Sequence, residues 1–368
     1  MSWSPQQEGA RREVAAWLRD QAGAQVYYLA GYAGTGKTTL ARDLAGDARG
    51  EVLYGAFTGK AALVLQRKGC IGASTIHSMI YKPRRKAGGV VEFVLNPESA
   101  VKKAGLVVID ECSMVDEALG KDLLSFGTKV LVLGDPAQLP PVRGEGFFTS
   151  RRPDTMLTEV HRQAQDSPII RMSMDVREGR GLAYGAYGSS KVIPPSQLEQ
   201  AEVLEAEQIL IGLNKTRRRY NGRMRELRGF TGDRPNIGER LVCLKNRHSK
   251  GLLNGGLWSV IDHMRSDDPD YVEMVVEPSD AGAARMPVDV RVHRFYFAGR
   301  ESELEFHQLK GTEQFDYGYA LTVHKSQGSQ WDSVIVFDES DAFRESSAKH
   351  LYTAITRAAE RLTIVRSQ

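Results

Sequence analysis

Val26-Tyr-Tyr-Leu-Ala-Gly-Tyr-Ala-Gly-Thr-Gly-Lys-Thr-Thr-Leu40 is a short apolar run followed by three glycines, a lysine and three threonines, and it opens a helical pattern. A strand, a glycine-rich turn and a helix in that order are what a nucleoside-triphosphate P-loop requires. Gly31, Gly34 and Gly36 let backbone N–H groups turn inward around phosphate oxygens at a helix N-terminus. Lys37 brings a point charge to the β- and γ-phosphates, and Thr38 brings a hydroxyl to Mg²⁺, which keeps most of its own waters. Thr35 and Thr39 complete the nucleotide-binding set.

Outward from this stretch, further β-rich runs stand at Val52 to Phe57, Leu106 to Ile109 and Val130 to Leu133, between helical or polar segments. That alternation predicts a parallel sheet covered by helices, hence an α/β fold. Upstream, Ser4-Pro5-Gln6-Gln7 reads as a helix start with a capping box. After about residue 165 the pattern restarts, with strands expected at Gln208 to Leu213, Val334 to Phe337 and Leu362 to Val365, and helices at Thr216 to Arg228 and Ser347 to Ala359. Two domains are therefore expected, 1–165 and 166–368.

Two insertions interrupt them. Tyr81 to Ala100 reads as a β-hairpin, and Gly238 to Phe297, with four strand-like runs, reads as a small inserted β-barrel. The glycine-rich stretch Arg177 to Ser190 reads as a flexible connection.

The second chemical signal is Asp110-Glu111, closing the apolar run Leu106-Val-Val-Ile109 at the carboxyl end of a strand, where ligands bind in open α/β sheets. Asp110 would hold Mg²⁺ with Thr38, and Glu111 would orient and deprotonate an attacking water. An acidic pair after a strand is a weak signal alone, and the P-loop upstream gives it weight. Gln138 emerges on the proline-stiffened loop Gly134-Asp-Pro-Ala-Gln-Leu-Pro140 at the same sheet edge, within reach of γ-phosphate and water.

The net charge is only +3, so any nucleic-acid surface must come from local clustering. Cys70, Cys112 and Cys243 form no C-x-x-C pair, which argues against a zinc site or a disulfide framework. Met1 to Ala10 is polar, with no signal-peptide core, and no window is long enough to span a bilayer. A soluble cytoplasmic protein is expected.

The order Gly31 to Thr38, Phe57-Thr-Gly-Lys-Ala-Ala62, Ser74-Thr-Ile-His77, Asp110-Glu-Cys-Ser113, Gly134 to Pro140, Val160-His-Arg-Gln163, Thr322-Val-His-Lys-Ser-Gln-Gly328 and Leu351-Tyr-Thr-Ala-Ile-Thr-Arg-Ala358 resembles superfamily 1 helicases. The resemblance is greatest to their RecD and Dda type, the 5′→3′ subgroup. It implies two RecA-like P-loop domains with parallel sheets, the inserted barrel being SH3-like, with ATP and Mg²⁺ between the domains and a single strand of DNA across both. It implies arginine fingers at Arg162 and Arg357, adenine reading by Gln7, and strand contacts by Thr58, Lys60, Thr75 and His77 in the first domain and Asn214, Thr322, His324 and Lys325 in the second.

Some alternatives stay open. Helix capping alone would explain Gln7, and His324 also reads as a buried structural histidine. Gln330 stands where many members of the family carry a glutamate that accepts from the ribose; its amide carbonyl can still accept that bond. The basic run Lys215 to Arg228 is either a phosphate track or a solvated face. The resemblance further implies single-stranded and forked duplex DNA as partners, replication or repair proteins as associates, and a monomer. An ATP-dependent nucleic-acid-binding switch or loading factor without processive unwinding is the rival reading, and action on RNA a third.

Overall fold

The alternation of Tyr27 and Leu29 with Tyr28 and Ala30 sends apolar side chains to both faces of one strand, and both faces are covered. On one side Tyr27 and Leu29 pack with Ala10, Val14 and Trp17 of the first helix and with Leu40 and Leu44. On the other, Tyr28 and Ala30 pack with Ile76, Ile80, Val132 and Phe148. The computed structural model describes residues 3–85, 91–141, 144–160, 166–279 and 286–367. Two compact units divide it: Met1–Gly181 with Ala348–Thr356, and Leu182–Ser347 with Arg357–Gln368.

The first unit holds β1 (Val26–Gly31), β2 (Val52–Ala56), β3 (Ser74–Thr75), β4 (Tyr81–Arg85), β5 (Val91–Leu95), β6 (Leu106–Asp110), β7 (Val130–Gly134) and β8 (Thr155–Leu157). Six of them form a parallel sheet in the order β3-β2-β6-β7-β1-β8. Its registers align Ala56 with Thr75 and Asp110, Ala30 with Gly134, and Gly31 with Leu157, so the carboxyl ends of all six strands share one edge. The hairpin is β4 and β5, antiparallel, with Tyr81 opposite Leu95.

The division falls after Gly181 rather than at 165/166, because the helix Pro168–Arg177 belongs to the first unit with Ile169, Met172 and Val176 buried. The stretch from Arg177 to Ser190 differs from the expected flexible connection. β9 (Gly185–Tyr187) and β10 (Ser190–Ile193) pair antiparallel around Gly188, whose φ of +62° is the conformation a tight turn needs.

The second unit continues with β11 (Gln208–Ile211), β12 (Arg240–Cys243), β13 (Leu257–His263), β14 (Tyr271–Pro278), β15 (Val288–His293), β16 (Phe315–Tyr317), β17 (Ala320–Thr322), β18 (Trp331–Phe337) and β19 (Ala358–Val365). One sheet runs β17-β11-β18-β19-β10-β9, parallel except at β9. The segment read as helix through Ala359 is helical only over Ser347–Ile355; Ala358 onward is strand, since pairing with β18 and β10 overrides the helix preference of Ala-Ala-Glu-Arg-Leu.

The insertion is a five-stranded antiparallel sheet, β15-β14-β13-β12-β16, whose last strand lies beyond residue 297. A single parallel bridge, Val292 with Glu313, joins its β15 edge to the chain entering β16. Trp258, Val272, Met274, Val276 and Phe315 from this sheet share one core with Ile209 and Ile211 of β11. The insertion is thus packed against β11, and the two share one buried cluster. No described helix is long and apolar enough to cross a membrane.

Candidate nucleotide site and strand interface

Gly31 ends β1 under a steric demand: a Cβ there would lie 2.6 Å from Thr35 Oγ1 and 3.0 Å from the Leu157 Cβ. Gly36, at φ +76°, caps the helix Lys37–Ala45 without a side chain, so that helix's first N–H groups face the loop. Thr35 is buried and its hydroxyl donates to the Tyr32 carbonyl at 2.8 Å. Lys37 Nζ donates to the Gly31 and Tyr32 carbonyls at 2.6 and 2.9 Å, which holds the ammonium over the loop.

β6 delivers Asp110, only 9% exposed, beside the P-loop helix, and the Thr38 hydroxyl donates to Asp110 Oδ2 at 2.9 Å. The other oxygen, Oδ1, accepts from the Glu111 N–H at 2.9 Å. A hydroxyl and a carboxylate at this spacing form the sparse oxygen set that suits Mg²⁺ with most of its waters retained. No larger cluster of His, Cys, Asp and Glu ligands occurs among the described residues. Glu111 sits in the left-handed region, φ +54° and ψ +45°, a conformation that costs a non-glycine residue about 1–2 kcal/mol.

Cys112, fully buried below this turn, has its thiol pushed well up by burial, with the charges of Asp110 and Glu111 adding to the effect. It is a packing residue.

After β7 the loop carrying Gln138 is built by an Asx turn, the Ala137 N–H donating to Asp135 Oδ1 at 2.9 Å. Gln138 is 7% exposed, and its amide oxygen has no hydrogen-bond partner among the described residues. Such an orphaned acceptor costs about 1–3 kcal/mol.

Two residues here, Tyr352 and Thr353, make contacts that the sequence does not reveal. The Tyr352 hydroxyl donates to Asp135 Oδ2 at 2.7 Å and accepts from the Ala33 N–H at 2.9 Å. The Leu139 N–H donates to Thr353 Oγ1 at 2.9 Å. Burial and the Asp135 charge raise the Tyr352 pKa, so the phenol keeps its proton. Both residues lie inside a motif the sequence had singled out, but nothing local marks partners 217 and 214 residues away.

Gln7 meets its capping reading in full and also touches the P-loop. Its backbone N–H and side-chain Oε1 complete the capping box with Ser4, and its Nε2 donates to the Thr35 carbonyl of the P-loop at 3.0 Å. Thr39 follows in the same helix. Arg162 lies outside the described residues.

Three of the residues assigned to strand contact share a local design. Thr58 caps the helix Gly59–Arg67, where Lys60 lies, Thr75 caps Ile76–Ile80, and Thr322 caps Val323–Ser326, each hydroxyl accepting a backbone N–H at the carboxyl end of a strand. His77 packs between Tyr81 and Phe93, with ring centroids 4.7 and 4.8 Å away, and Phe93 is exposed. His324 lies 5.7 Å from the Phe343 ring, and burial lowers its pKa, which keeps the imidazole neutral. Lys325 and Gln330 are exposed. In the second unit Arg357 is buried and donates to the Ser329 carbonyl at 3.2 Å.

The basic helix, Asn214–Leu227, is largely neutralised within its own unit. Arg217 pairs with Asp316 at 2.6 Å, Arg218 with Glu301 at 2.8 Å, Arg223 with Glu226 at 2.9 Å and Arg225 with Glu239 at 2.8 Å. Asn214 Oδ1 accepts from Arg217 Nε at 3.3 Å.

The AAA domain family matches residues 3–194, more than half of the chain. The chain belongs to this family. A UvrD-like helicase C-terminal domain matches residues 317–365. Among curated proteins the chain is 30% identical to the ATP-dependent RecD2 DNA helicase of Deinococcus radiodurans over 96% of its own length and 48% of that protein's. It is 25% identical to the RecBCD enzyme subunit RecD of Mycobacterium tuberculosis over 93% of its length and 67% of that protein's. The chain therefore spans about half the length of the RecD2 relative. The structure of Bacteroides Pif1 bound to ssDNA superposes with a TM-score of 0.59 at 17% identity, covering 99% of this chain and 92% of that one. The chain is thus similar to superfamily 1 helicases of the RecD and Pif1 type, and its mixed α/β fold with a parallel sheet is consistent with a RecA-like core.

Proposed function

We propose that this AAA-domain chain is an ATP-dependent DNA helicase that moves 5′→3′ on single-stranded DNA and unwinds duplex at a fork. The observation that carries the reading is the Thr38 hydroxyl on the Asp110 carboxylate at 2.9 Å, which joins the P-loop to the strand-end acid. In this reading Lys37, the loop N–H groups and Thr39 bind the triphosphate, Thr38 and Asp110 hold Mg²⁺, and Mg²⁺ when bound supplies charge to the phosphates. Glu111 takes the proton of the attacking water, and the unpartnered Gln138 oxygen orients that water. Arg162 and Arg357 neutralise transition-state charge. Gln7 reads the base from a position fixed by Thr35, and Gln330 accepts from the ribose.

Strand binding is assigned to Thr58, Lys60, Thr75, His77, Asn214, Thr322, His324 and Lys325. Capped helix ends grip phosphates with N–H groups and little net charge, which suits repeated release. The β4–β5 hairpin, with Phe93 exposed beside His77, would part the duplex. The inserted sheet is read as an SH3-like barrel that holds the strand or docks a partner. Because it shares the second unit's core, its role is better probed by surface substitution than by deletion.

The test is steady-state ATP hydrolysis with no nucleic acid, with single-stranded DNA and with single-stranded RNA, using Lys37→Ala as control. Stimulation by DNA alone supports the reading, and stimulation by neither removes it. A fork with only a 5′ tail should then be unwound in preference to one with only a 3′ tail; the reverse overturns the polarity. The paired arginines of Asn214–Leu227 favour a rival, an ATP-dependent DNA-binding switch, because they leave less charge for a strand track. Absence of translocation in a protein that hydrolyses ATP on DNA would select it.

A further inference from the structure

The loop bearing Gln138 is anchored on both sides of that residue by one helix. Asp135, three residues before it, accepts from the Tyr352 hydroxyl at 2.7 Å, and Leu139, one residue after it, donates its N–H to Thr353 Oγ1 at 2.9 Å. The same Tyr352 oxygen accepts the Ala33 N–H of the P-loop at 2.9 Å. Tyr352 and Thr353 are both fully buried, so water does not compete for these bonds. One phenol oxygen thus sets the spacing between the loop that cradles phosphate and the loop that carries the unpartnered Gln138 amide oxygen.

We propose that Tyr352 and Thr353 are positioning residues for ATP hydrolysis, holding Gln138 in register with the P-loop. The inference rests on the ATPase reading above. It follows from geometry: an amide that must orient water loses effect when its loop drifts by a fraction of an ångström, whereas Lys37, held by the Gly31 and Tyr32 carbonyls, keeps its place for ground-state nucleotide binding.

Tyr352→Phe keeps the ring and removes only the shared oxygen, and Thr353→Val keeps the shape and removes the acceptor. Each should lower kcat about tenfold while leaving the KM for ATP within about twofold, and Thr353→Ser should restore kcat. In a Gln138→Ala background, either substitution should change kcat by less than about twofold, since the residue being positioned is gone. Thermal melting of each variant checks that it folds. Unchanged kcat in Tyr352→Phe, with a wild type that hydrolyses ATP, overturns the inference and leaves the ATPase reading standing. Full additivity with Gln138→Ala also overturns it, because the anchors would then act elsewhere. A wild type no more active than Lys37→Ala removes the ATPase reading itself, and this inference with it.

Discussion

Two acidic pairs follow buried parallel strands in this chain, Asp110-Glu111 after β6 and Asp338-Glu339 after β18, and the fold uses them for different purposes. In the first pair Asp110 meets the Thr38 hydroxyl and Glu111 is held in a left-handed turn. In the second, every carboxylate oxygen has a protein partner. Asp338 accepts from Ser340 N–H at 3.0 Å and from Arg366 at 2.8 Å, and Glu339 accepts from the Gly212 and Leu213 N–H groups at 3.0 and 2.9 Å and from the Thr216 hydroxyl at 2.6 Å. Glu339 secures the start of the helix Asn214–Leu227, as an acid at a helix N-terminus should. Position at a strand end therefore does not decide what an acid does; the groups that meet its carboxylate do, the P-loop helix's Thr38 for Asp110 and the start of the helix Asn214–Leu227 for Glu339.

The sharpest way to break this comparison is kinetic. Glu111→Gln should lower ATP turnover by roughly a thousandfold with nucleotide binding retained, as removal of a general base does, whereas Glu339→Gln should leave turnover within about twofold. Steady-state hydrolysis with single-stranded DNA measures both. A comparable loss in Glu339→Gln would erase the distinction between the two pairs.

A smaller effect sharpens the first pair alone. If Thr38 and Asp110 share a metal, Thr38→Ala should raise the Mg²⁺ concentration for half-maximal hydrolysis by about tenfold, in the range that removal of a metal-site partner produces. Titration of Mg²⁺ at fixed ATP reads this directly, and an unchanged requirement would detach Thr38 from the metal.

The sequence made the first pair legible because its signals are local: glycines within six residues of one another, a lysine, and an apolar strand ending in acid. The capping box at Ser4 and Gln7 was legible for the same reason. The anchors Tyr352 and Thr353 were not, since their partners come together only when distant segments fold. β3, of two residues, and β8, β16 and β17, of three, are too short for any period to show. Ala358 to Arg361 has helix-forming composition and becomes strand through pairing with β18. The charge run on Asn214–Leu227 was visible, but its carboxylate partners at Glu239, Glu301 and Asp316 were not.

The smallest expected effect concerns stability, and there the two pairs should differ in sign. Glu339→Ala leaves two backbone N–H groups and a hydroxyl without an acceptor, at a cost of about 1–3 kcal/mol. Glu111→Gly instead relieves a left-handed residue worth about 1–2 kcal/mol, offset by the roughly 0.5–1 kcal/mol of chain entropy that glycine loses on folding. Its net effect should fall between about zero and about 1.5 kcal/mol of stabilisation, in a protein that no longer turns over ATP. Urea unfolding of the two variants beside the wild type measures the contrast. A destabilised Glu111→Gly would mean that the turn after β6 is held by the glutamate side chain, and that its geometry serves the fold as that of Glu339 does.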